Sequence, residues 1–295
     1  DATTYRRLDT YTTAVRGLGR LLEAHGDAAG VGIRLADYTD PARSPLRSAD
    51  LIAQAAAPEH HPLCAFFRER LDRALSGTAP RIVGLSINFL NQALSAFALL
   101  GILRRDHPGV RILVGGGLVS SWLGRPGWAD PFRDLADEWI AGAGERPLLR
   151  AAELPGEPDD FPVPDFNPFR GEEYLAPGLI LGISFSDGCY WNRCAFCSER
   201  TEDRRYLAWT PADAAARLRE SAARYRPALV HLLDNALSPA ALRALIADPP
   251  GAPWYGFARF TPELAEPDFC RALRRSGCRM LQLGLESGDP DVLAR

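Results

Sequence analysis

The chain has 295 residues, a formal net charge of -3, 46% hydrophobic residues and 24% charged residues, which is the composition of an ordinary globular protein. All 34 basic residues are arginine, so mechanisms that need a lysine amine, such as Schiff-base chemistry or a Walker phosphate loop, are excluded. This charge balance gives no reason to expect nucleic acid or an anionic membrane as a partner.

Residues 1–150 alternate helical and strand-like patterns, which predicts an α/β domain with a parallel sheet. Its predicted helices cover 5–25, 62–76 and 92–106, and its predicted strands cover 31–38, 81–89, 111–114 and 139–140. Glycine-rich turns follow the last two strands, where a doubly wound sheet lets a ligand approach the backbone. A plain flavodoxin-like sheet, whose glycines serve only tight turns, is the alternative.

Residues 151–178 are rich in proline and poor in periodic apolar positions, so we expect them to form a linker. Repeated β/α units follow in 179–295. The predicted strands are 179–185, 229–233, 254–260 and 279–285, and the predicted helices are 211–224, 239–247 and 262–276. Repeated β/α units of this type form a β/α barrel. Because the pattern stops after the fourth strand, we expect only part of such a barrel.

No charged-then-apolar leader opens the sequence, and its longest apolar stretches, such as 94–103, are much shorter than a membrane span. Six cysteines, three of them within 189–197, fit a metal site in a reducing compartment better than a disulfide framework. We therefore expect a cytoplasmic protein with no membrane partner.

Cys189, Cys194 and Cys197 directly follow the first strand of the second domain, with four and two residues between successive cysteines. Thiolates are soft ligands that suit zinc or an iron–sulfur cluster. Three cysteines on a four-iron cluster leave one iron open, whereas a structural zinc site needs a fourth protein ligand. The alternative is therefore a zinc site completed by Cys270, Cys278 or His231, although the first two lie on a helical pattern typical of core positions.

The cysteine loop, the aromatic Phe196 before the third cysteine and the GLESG run on the fourth strand resemble the radical S-adenosylmethionine enzymes. The usual loop of that family has three residues between the first two cysteines, whereas this one has four. The resemblance implies a (β/α)6 barrel, here with about four of six units. It also implies a 4Fe-4S cluster held by Cys189, Cys194 and Cys197, whose open iron binds S-adenosylmethionine and whose electron generates a 5′-deoxyadenosyl radical.

The family's roles extend to further residues of this chain. By resemblance, Phe196 lies beside the adenine, Glu286 and Ser287 approach the ribose or the methionine end, and Arg259 pairs with the cofactor carboxylate. Asp234 and Asn235, where the second strand ends, take the place of a polar cofactor contact. Ion pairing of Arg259, a helix-start role for Glu286, and a turn or cap role for Asp234 and Asn235 are the open alternatives.

The 81–150 segment looks like the Rossmann-like cobalamin-binding domain that precedes the barrel in the class B methyltransferases of that family. By resemblance, small and polar residues at strand ends let the corrin and its tail lie against the backbone; they are Ser86, Asn88, Gly115, Gly116, Gly117, Gly142, Gly144 and Glu145. No Asp-x-His-x-x-Gly motif occurs, so we expect cobalamin to bind without a histidine ligand on its lower face.

These features together predict a cobalamin-dependent C-methyltransferase that acts on an unactivated carbon of a natural-product or peptide substrate. The resemblance implies an electron donor such as flavodoxin or ferredoxin and leaves the catalytic residues unknown. Cyclisation or rearrangement, with or without cobalamin, is the nearest alternative. A non-catalytic, cysteine-rich metal-binding module is the alternative from a different class.

Overall fold

The computed structural model describes residues 7–77, 80–155, 163–169, 174–197 and 206–293. The chain divides into two compact units, and their boundary falls inside the proline-rich 151–178 segment. Both units are mixed α/β and contain parallel sheets, which confirms the α/β class expected from the sequence. No helix of the described ranges combines the length and the apolar character needed to cross a bilayer.

The first unit has a three-stranded parallel sheet of order β3-β4-β5 and a separate two-stranded hairpin. Its elements in chain order are α1 (Leu8–Ala28), β1 (Gly32–Arg34), β2 (Asp37–Thr39), α2 (Ser48–Ala56), α3 (Cys64–Leu75), β3 (Ile82–Ser86), α4 (Ala93–Asp106), β4 (Arg111–Gly115), α5 (Gly117–Leu123), β5 (Glu138–Trp139) and α6 (Glu145–Ala151). Helix α4 is buried along most of its length, and its Phe97 ring packs 4.8 Å from the Phe132 ring in the core.

The single strand expected at 31–38 is wrong, because the segment forms the antiparallel hairpin β1-β2. The chain turns at residues 35 and 36, which places Ile33 opposite Tyr38. Both side chains are buried in the core of this unit. A single strand would place these two residues, five positions apart, on opposite faces, and the turn between β1 and β2 brings them to one buried face.

The second unit has a four-stranded sheet of order β11-β10-β9-β6, in which all neighbours are parallel. Its elements are β6 (Ile180–Ile183), β7 (Ser186–Asp187), β8 (Leu207–Ala208), α7 (Pro211–Tyr225), β9 (Leu229–Leu237), α8 (Pro239–Ala247), β10 (Trp254–Arg259), α9 (Pro267–Arg275), β11 (Cys278–Gly284) and α10 (Pro290–Leu293). The strands of the sheet lie side by side in chain order. Their carboxyl ends therefore meet along one edge.

The helices of this unit begin where the sequence places capping residues. Thr210 Oγ1 accepts the backbone N–H of Asp213 at 3.2 Å, and Ser238 Oγ accepts that of Ala241 at 3.1 Å. A proline follows each cap at the first helical position, where its missing N–H costs no hydrogen bond. These caps explain why the helices predicted at 211–224 and 239–247 form within one residue of the expected bounds.

The helix expected at 262–276 is divided in the structure. A short 3-10 turn at Pro262–Ala265 precedes α9, and Glu266 between them is extended, with φ -85° and ψ 117°. The residue before a proline disfavours the helical region, so Pro267 separates the two segments and starts α9. Three short helices, α2, α5 and α6, were not predicted from the sequence.

Candidate functional site

The cysteine loop begins where β6 reaches the carboxyl edge of the sheet. Strand β7 lies just before Cys189 and pairs antiparallel with β8, which comes after the loop in the chain, and Gly188 takes a positive φ of 78° directly before Cys189. Between Cys194 and Cys197 the backbone turns back, since the N–H of Cys197 donates to the carbonyl of Cys194 at 3.2 Å. Local backbone geometry therefore brings Cys194 and Cys197 together in one tight turn.

The three loop cysteines are free thiols and partly exposed. Within the described part of the chain, no three His, Cys, Asp or Glu side chains are close enough to form a metal site. The donor set nevertheless fits a thiolate-bound cluster, because three soft ligands occupy one short loop and none is committed to a disulfide. In such sites the metal draws the thiolates together when it binds. The thiols of a metal-free loop therefore need not lie within coordinating distance of one another.

The base of the loop is anchored by Asp234, which is 3% exposed. Its Oδ2 accepts the backbone N–H of Phe185 at 2.9 Å and its Oδ1 accepts the hydroxyl of Ser186 at 2.6 Å. Burial raises the pKa of this carboxyl, and these hydrogen bonds oppose that shift. Both oxygens of Asp234 therefore bind the segment between β6 and the cysteine loop, and Asn235 beside it is exposed.

Tyr206 extends this arrangement on the β8 side. Its phenol lies near Ser186, Asp234 and Cys189. Burial raises the pKa of Tyr206 above its ordinary value. Tyr206 thus lies close to the Asp234 anchor and to the first cysteine.

Arg259, the last residue of β10, meets the cysteine loop through two aromatic side chains. Its guanidinium carbon lies 3.6 Å from the centroid of the Trp191 ring, and its side chain lies beside the Tyr190 phenol. Desolvation raises the pKa of Tyr190, whereas Arg259 lowers it. Arg259 has no acidic partner among the ion pairs of the described residues.

The GLESG run lies at the end of β11. Glu286 has a positive φ of 57°, and a Cβ placed on Gly284 would come 2.5 Å from the Glu286 Oε1. Gly284 therefore leaves the space into which the Glu286 carboxylate folds. Ser287 Oγ accepts the N–H of Asp289 at 3.0 Å. Phe196 is 70% exposed, so its ring is open to solvent.

The second unit thus places its expected site residues on one edge. Asp234 and Asn235 lie near the end of β9, Arg259 ends β10, and the GLESG run follows β11. The cysteine loop follows β6 on the same side of the sheet. The cofactor-binding roles stay predictions for all six residues, which are Phe196, Asp234, Asn235, Arg259, Glu286 and Ser287.

In the first unit, Asn88 joins the ends of two parallel strands. Its Nδ2 donates to Ser86 Oγ at 3.2 Å, and its Oδ1 accepts the N–H of Gly117 at 3.0 Å. Gly115 ends β4 and its carbonyl accepts the N–H of Ile87 at 2.7 Å. The polar and glycine residues predicted near β3 and β4 therefore meet in one network at the carboxyl edge.

Gly116 is the position of this edge where only glycine fits. It has φ 106° and ψ 172°, and an added Cβ would come 2.5 Å from the carbonyl oxygen of Ile87. This backbone region is open essentially to glycine alone. The close approach allows α5 to start directly against the end of β3.

The third strand end brings the remaining residues to the same edge. Gly142 has a positive φ of 73° and donates its N–H to Ser120 Oγ at 2.8 Å, which joins it to α5. Gly144 is the N-cap of α6 and Glu145 is its first residue. Ser120 was not among the residues singled out from the sequence, because a serine inside a short helix carries no distinct signal.

The residues proposed to complete a zinc site lie apart from the loop. Cys270 is exposed on α9, and Cys278 is buried at the first position of β11. The expectation that both are core residues of one helix is therefore wrong, because the Gly277 turn ends the helical pattern between them. His231 is in β9, where its ring stacks on Tyr255 with 4.2 Å between centroids.

Four residues of this site were missed in the sequence: Ser186, Tyr190, Trp191 and Tyr206. The fourth residue between Cys189 and Cys194 was a visible signal that this loop has its own geometry. Contacts between the loop and β10 depend on tertiary structure, so no local pattern predicted that Trp191 reaches Arg259.

Searches of protein-family models, curated proteins and solved structures find no match to this chain. The case for a function therefore depends on the residues and their geometry.

Proposed function

We propose that the protein is a cobalamin-dependent radical S-adenosylmethionine enzyme, with a Rossmann-like first unit and a partial (β/α)6 barrel as its second. The observation that carries the proposal is the edge formed by four parallel strands in chain order, with a three-thiol loop after the first strand. Asp234, Arg259 and the GLESG run follow at the ends of the other three. With this strand order, the loop and the candidate cofactor-binding residues all lie at the carboxyl edge of the same sheet.

In this proposal Cys189, Cys194 and Cys197 hold a 4Fe-4S cluster and leave one iron without a protein ligand. When bound, the cluster and S-adenosylmethionine supply radical chemistry at carbon, and cobalamin supplies methyl transfer. The contributions of the chain are to bind and orient these groups. Asp234 fixes the loop base, Arg259 offers guanidinium N–H groups to a carboxylate, and the exposed Phe196 ring is available for stacking on adenine.

The first unit supports a cobalamin site through its strand-end edge. Gly116 and Gly142 have positive φ values, and Asn88 and Ser120 hold the turns around them. Backbone without side chains at this edge lets a large flat ligand approach closely. The proposed reaction is methylation of an unactivated carbon of a natural-product or peptide substrate, with electrons from a flavodoxin or ferredoxin.

The test is anaerobic reconstitution of the full chain with iron, sulfide and cobalamin, followed by metal analysis. We expect about four irons per chain, bound cobalamin, and 5′-deoxyadenosine on addition of S-adenosylmethionine and a reductant. Replacing Cys189, Cys194 and Cys197 by alanine abolishes iron binding, whereas the matched control Cys270→Ala retains it. Zinc alone in anaerobically prepared protein would refute the proposal and favour the metal-binding module.

Two further readouts separate the remaining alternatives. If the reconstituted protein binds iron but no cobalamin, radical chemistry remains possible but the methyl donor is absent. The reaction would then be a cyclisation or a rearrangement. With a substrate in hand, product mass decides the reaction, because methylation adds a methyl group in place of hydrogen and rearrangement adds no mass.

A further inference from the structure

The contact between Arg259 and the cysteine loop uses only one part of the guanidinium. The guanidinium carbon lies only 3.6 Å from the centroid of Trp191, and an edge-on approach at that distance would push a nitrogen into the ring, so we infer that the guanidinium stacks face-on. The N–H groups of a guanidinium lie in that plane and point outward from its edge. Stacking on Trp191 therefore leaves most of the donors of Arg259 free for an acceptor.

Tyr190, the neighbour of Trp191 in the loop, lies beside the same guanidinium. Trp191 thus covers one face of Arg259, and the Tyr190 phenol lies next to it. The N–H donors of Arg259 have no carboxylate partner among the ion pairs of the described residues.

An arginine in this state is a ready receptor for a carboxylate. A planar guanidinium binds a carboxylate through two parallel hydrogen bonds, and a side chain already fixed by its neighbours loses little freedom on binding. Arg259 stands at the carboxyl end of β10, beside the cysteine loop. Its free edge and the thiols consequently belong to the same end of the sheet.

We propose that Tyr190 and Trp191, within the four-residue spacing between Cys189 and Cys194, are positioning residues that hold Arg259 as the receptor for the S-adenosylmethionine carboxylate. This inference rests on the proposed function. It gives a role to the fourth residue between Cys189 and Cys194, which the usual three-residue spacing lacks. The extra residue lets the loop present two aromatic side chains toward β10.

The chain offers a matched control in Arg193. Its guanidinium carbon lies 5.1 Å from the centroid of the same Trp191 ring, but Arg193 is exposed and belongs to the loop. Both cations therefore contact one indole, and only Arg259 lies at a strand end. Arg193→Ala removes a cation from Trp191 without changing the receptor.

The experiment uses the full chain, reconstituted anaerobically, and compares the wild type with Trp191→Ala, Trp191→Phe, Tyr190→Phe and Arg193→Ala. Iron per chain is measured first. The dissociation constant of S-adenosylmethionine is then measured through the change it causes in the electron paramagnetic resonance spectrum of the reduced cluster. Each titration is repeated with decarboxylated S-adenosylmethionine, which lacks the group that Arg259 is proposed to bind.

We expect Trp191→Ala to keep its iron and to bind S-adenosylmethionine about tenfold more weakly, since the cation–π contact is partly desolvated. Trp191→Phe retains an aromatic face and recovers most of that affinity. Tyr190→Phe removes the hydroxyl beside Arg259 and weakens binding by about threefold, and Arg193→Ala binds as the wild type does. With the decarboxylated analogue, all five proteins bind alike.

Three results would overturn the inference. One is wild-type affinity in Trp191→Ala, and another is an equal loss of affinity for the decarboxylated analogue. The third is loss of iron in both Trp191 variants, which would make the indole part of the loop structure alone. A wild-type protein that assembles no cluster refutes the proposed function itself, and that result is obtained before any variant is compared.

Discussion

The hydroxyl of Ser186 donates a 2.6 Å hydrogen bond to Asp234 Oδ1 at the point where the cysteine loop leaves the sheet. The other oxygen of Asp234 accepts the N–H of Phe185. A buried carboxylate with two donors holds β9 and the start of the loop together. Because these donors lie within five residues of Cys189, the position of the first cysteine depends on a residue from a different strand.

Replacing Asp234 by alanine should therefore lower the free energy of unfolding by about 3 kcal/mol, because the buried N–H of Phe185 loses its acceptor. Asp234→Asn keeps one acceptor oxygen and should cost about half as much. Urea denaturation measures both. The exposed neighbour serves as the control, and Asn235→Ala should change stability by less than about 0.5 kcal/mol. Equal effects of Asp234→Ala and Asn235→Ala would contradict the assigned anchor role.

His61 predicts a pH dependence of stability in the first unit. It is 1% exposed, its Nδ1 accepts the N–H of Leu63 and its Nε2 lies 3.1 Å from Ser95 Oγ. Burial lowers its pKa from 6.5 to about 4; the nearby Asp40 carboxylate opposes this shift, and Arg43 adds to it. The unfolded chain therefore binds more protons than the folded chain between these values, and stability falls as pH decreases through that window.

The expected loss is about 3 kcal/mol between pH 6.5 and pH 4. His61→Asn retains an acceptor near the Leu63 N–H and cannot titrate, so its stability should be flatter over this range. Urea denaturation at a series of pH values gives the comparison. His25→Asn, at an exposed position on α1, should keep the wild-type pH profile, and an unchanged profile in His61→Asn would disprove the assignment.

Two glycines of the strand-end edge form a matched pair. Gly116→Ala meets the Ile87 backbone at 2.5 Å in a conformation that is open essentially to glycine, so it should destabilise the protein by about 3 kcal/mol or more. Gly142→Ala has a positive φ of 73° and no atom within 4 Å of the added Cβ. Only backbone strain of about 1 kcal/mol is expected there. Thermal or urea denaturation distinguishes them, and a Gly116→Ala cost no larger than that of Gly142→Ala would show that the edge relaxes freely.

Cysteine accessibility predicts an alkylation pattern. At pH 8 and without metal, iodoacetamide should label Cys270 quickly, because its thiol is exposed. Cys64 and Cys278 are buried, and burial raises the pKa of the Cys278 thiol to about 11, so both should react slowly. Peptide mass spectrometry reads each site.

The three loop cysteines supply the informative comparison in the same experiment. They are partly exposed, so we expect labelling before reconstitution with iron and sulfide and protection after it. Cys270 should stay reactive in both states and so controls for general loss of reagent. Protection of Cys270 together with the loop cysteines would indicate aggregation and not cluster binding.

The helices that the sequence predicted accurately are those whose start signals lie within a few neighbouring residues. The caps Thr210 and Ser238, each followed by proline, define where α7 and α8 start, and these signals are complete within a few residues. The helix predicted at 262–276 was interrupted by Pro267, whose effect on Glu266 is just as local. The hairpin at 31–38 was missed because the local apolar pattern does not mark the turn at residues 35 and 36. Ile33 and Tyr38 are five residues apart and would face opposite sides of a single strand, so only the turn lets them share a buried face.

The sequence by itself determined that the chain is α/β, that three thiols occupy one short loop after a strand, and that glycines end the strands of the first unit. Each of these follows from spacing along the chain. Tertiary structure alone decided that both carboxylate oxygens of Asp234 bind the base of the loop and that Trp191 lies against Arg259. Those partners lie tens of residues apart, and only the parallel order of β6, β9 and β10 brings them to one edge.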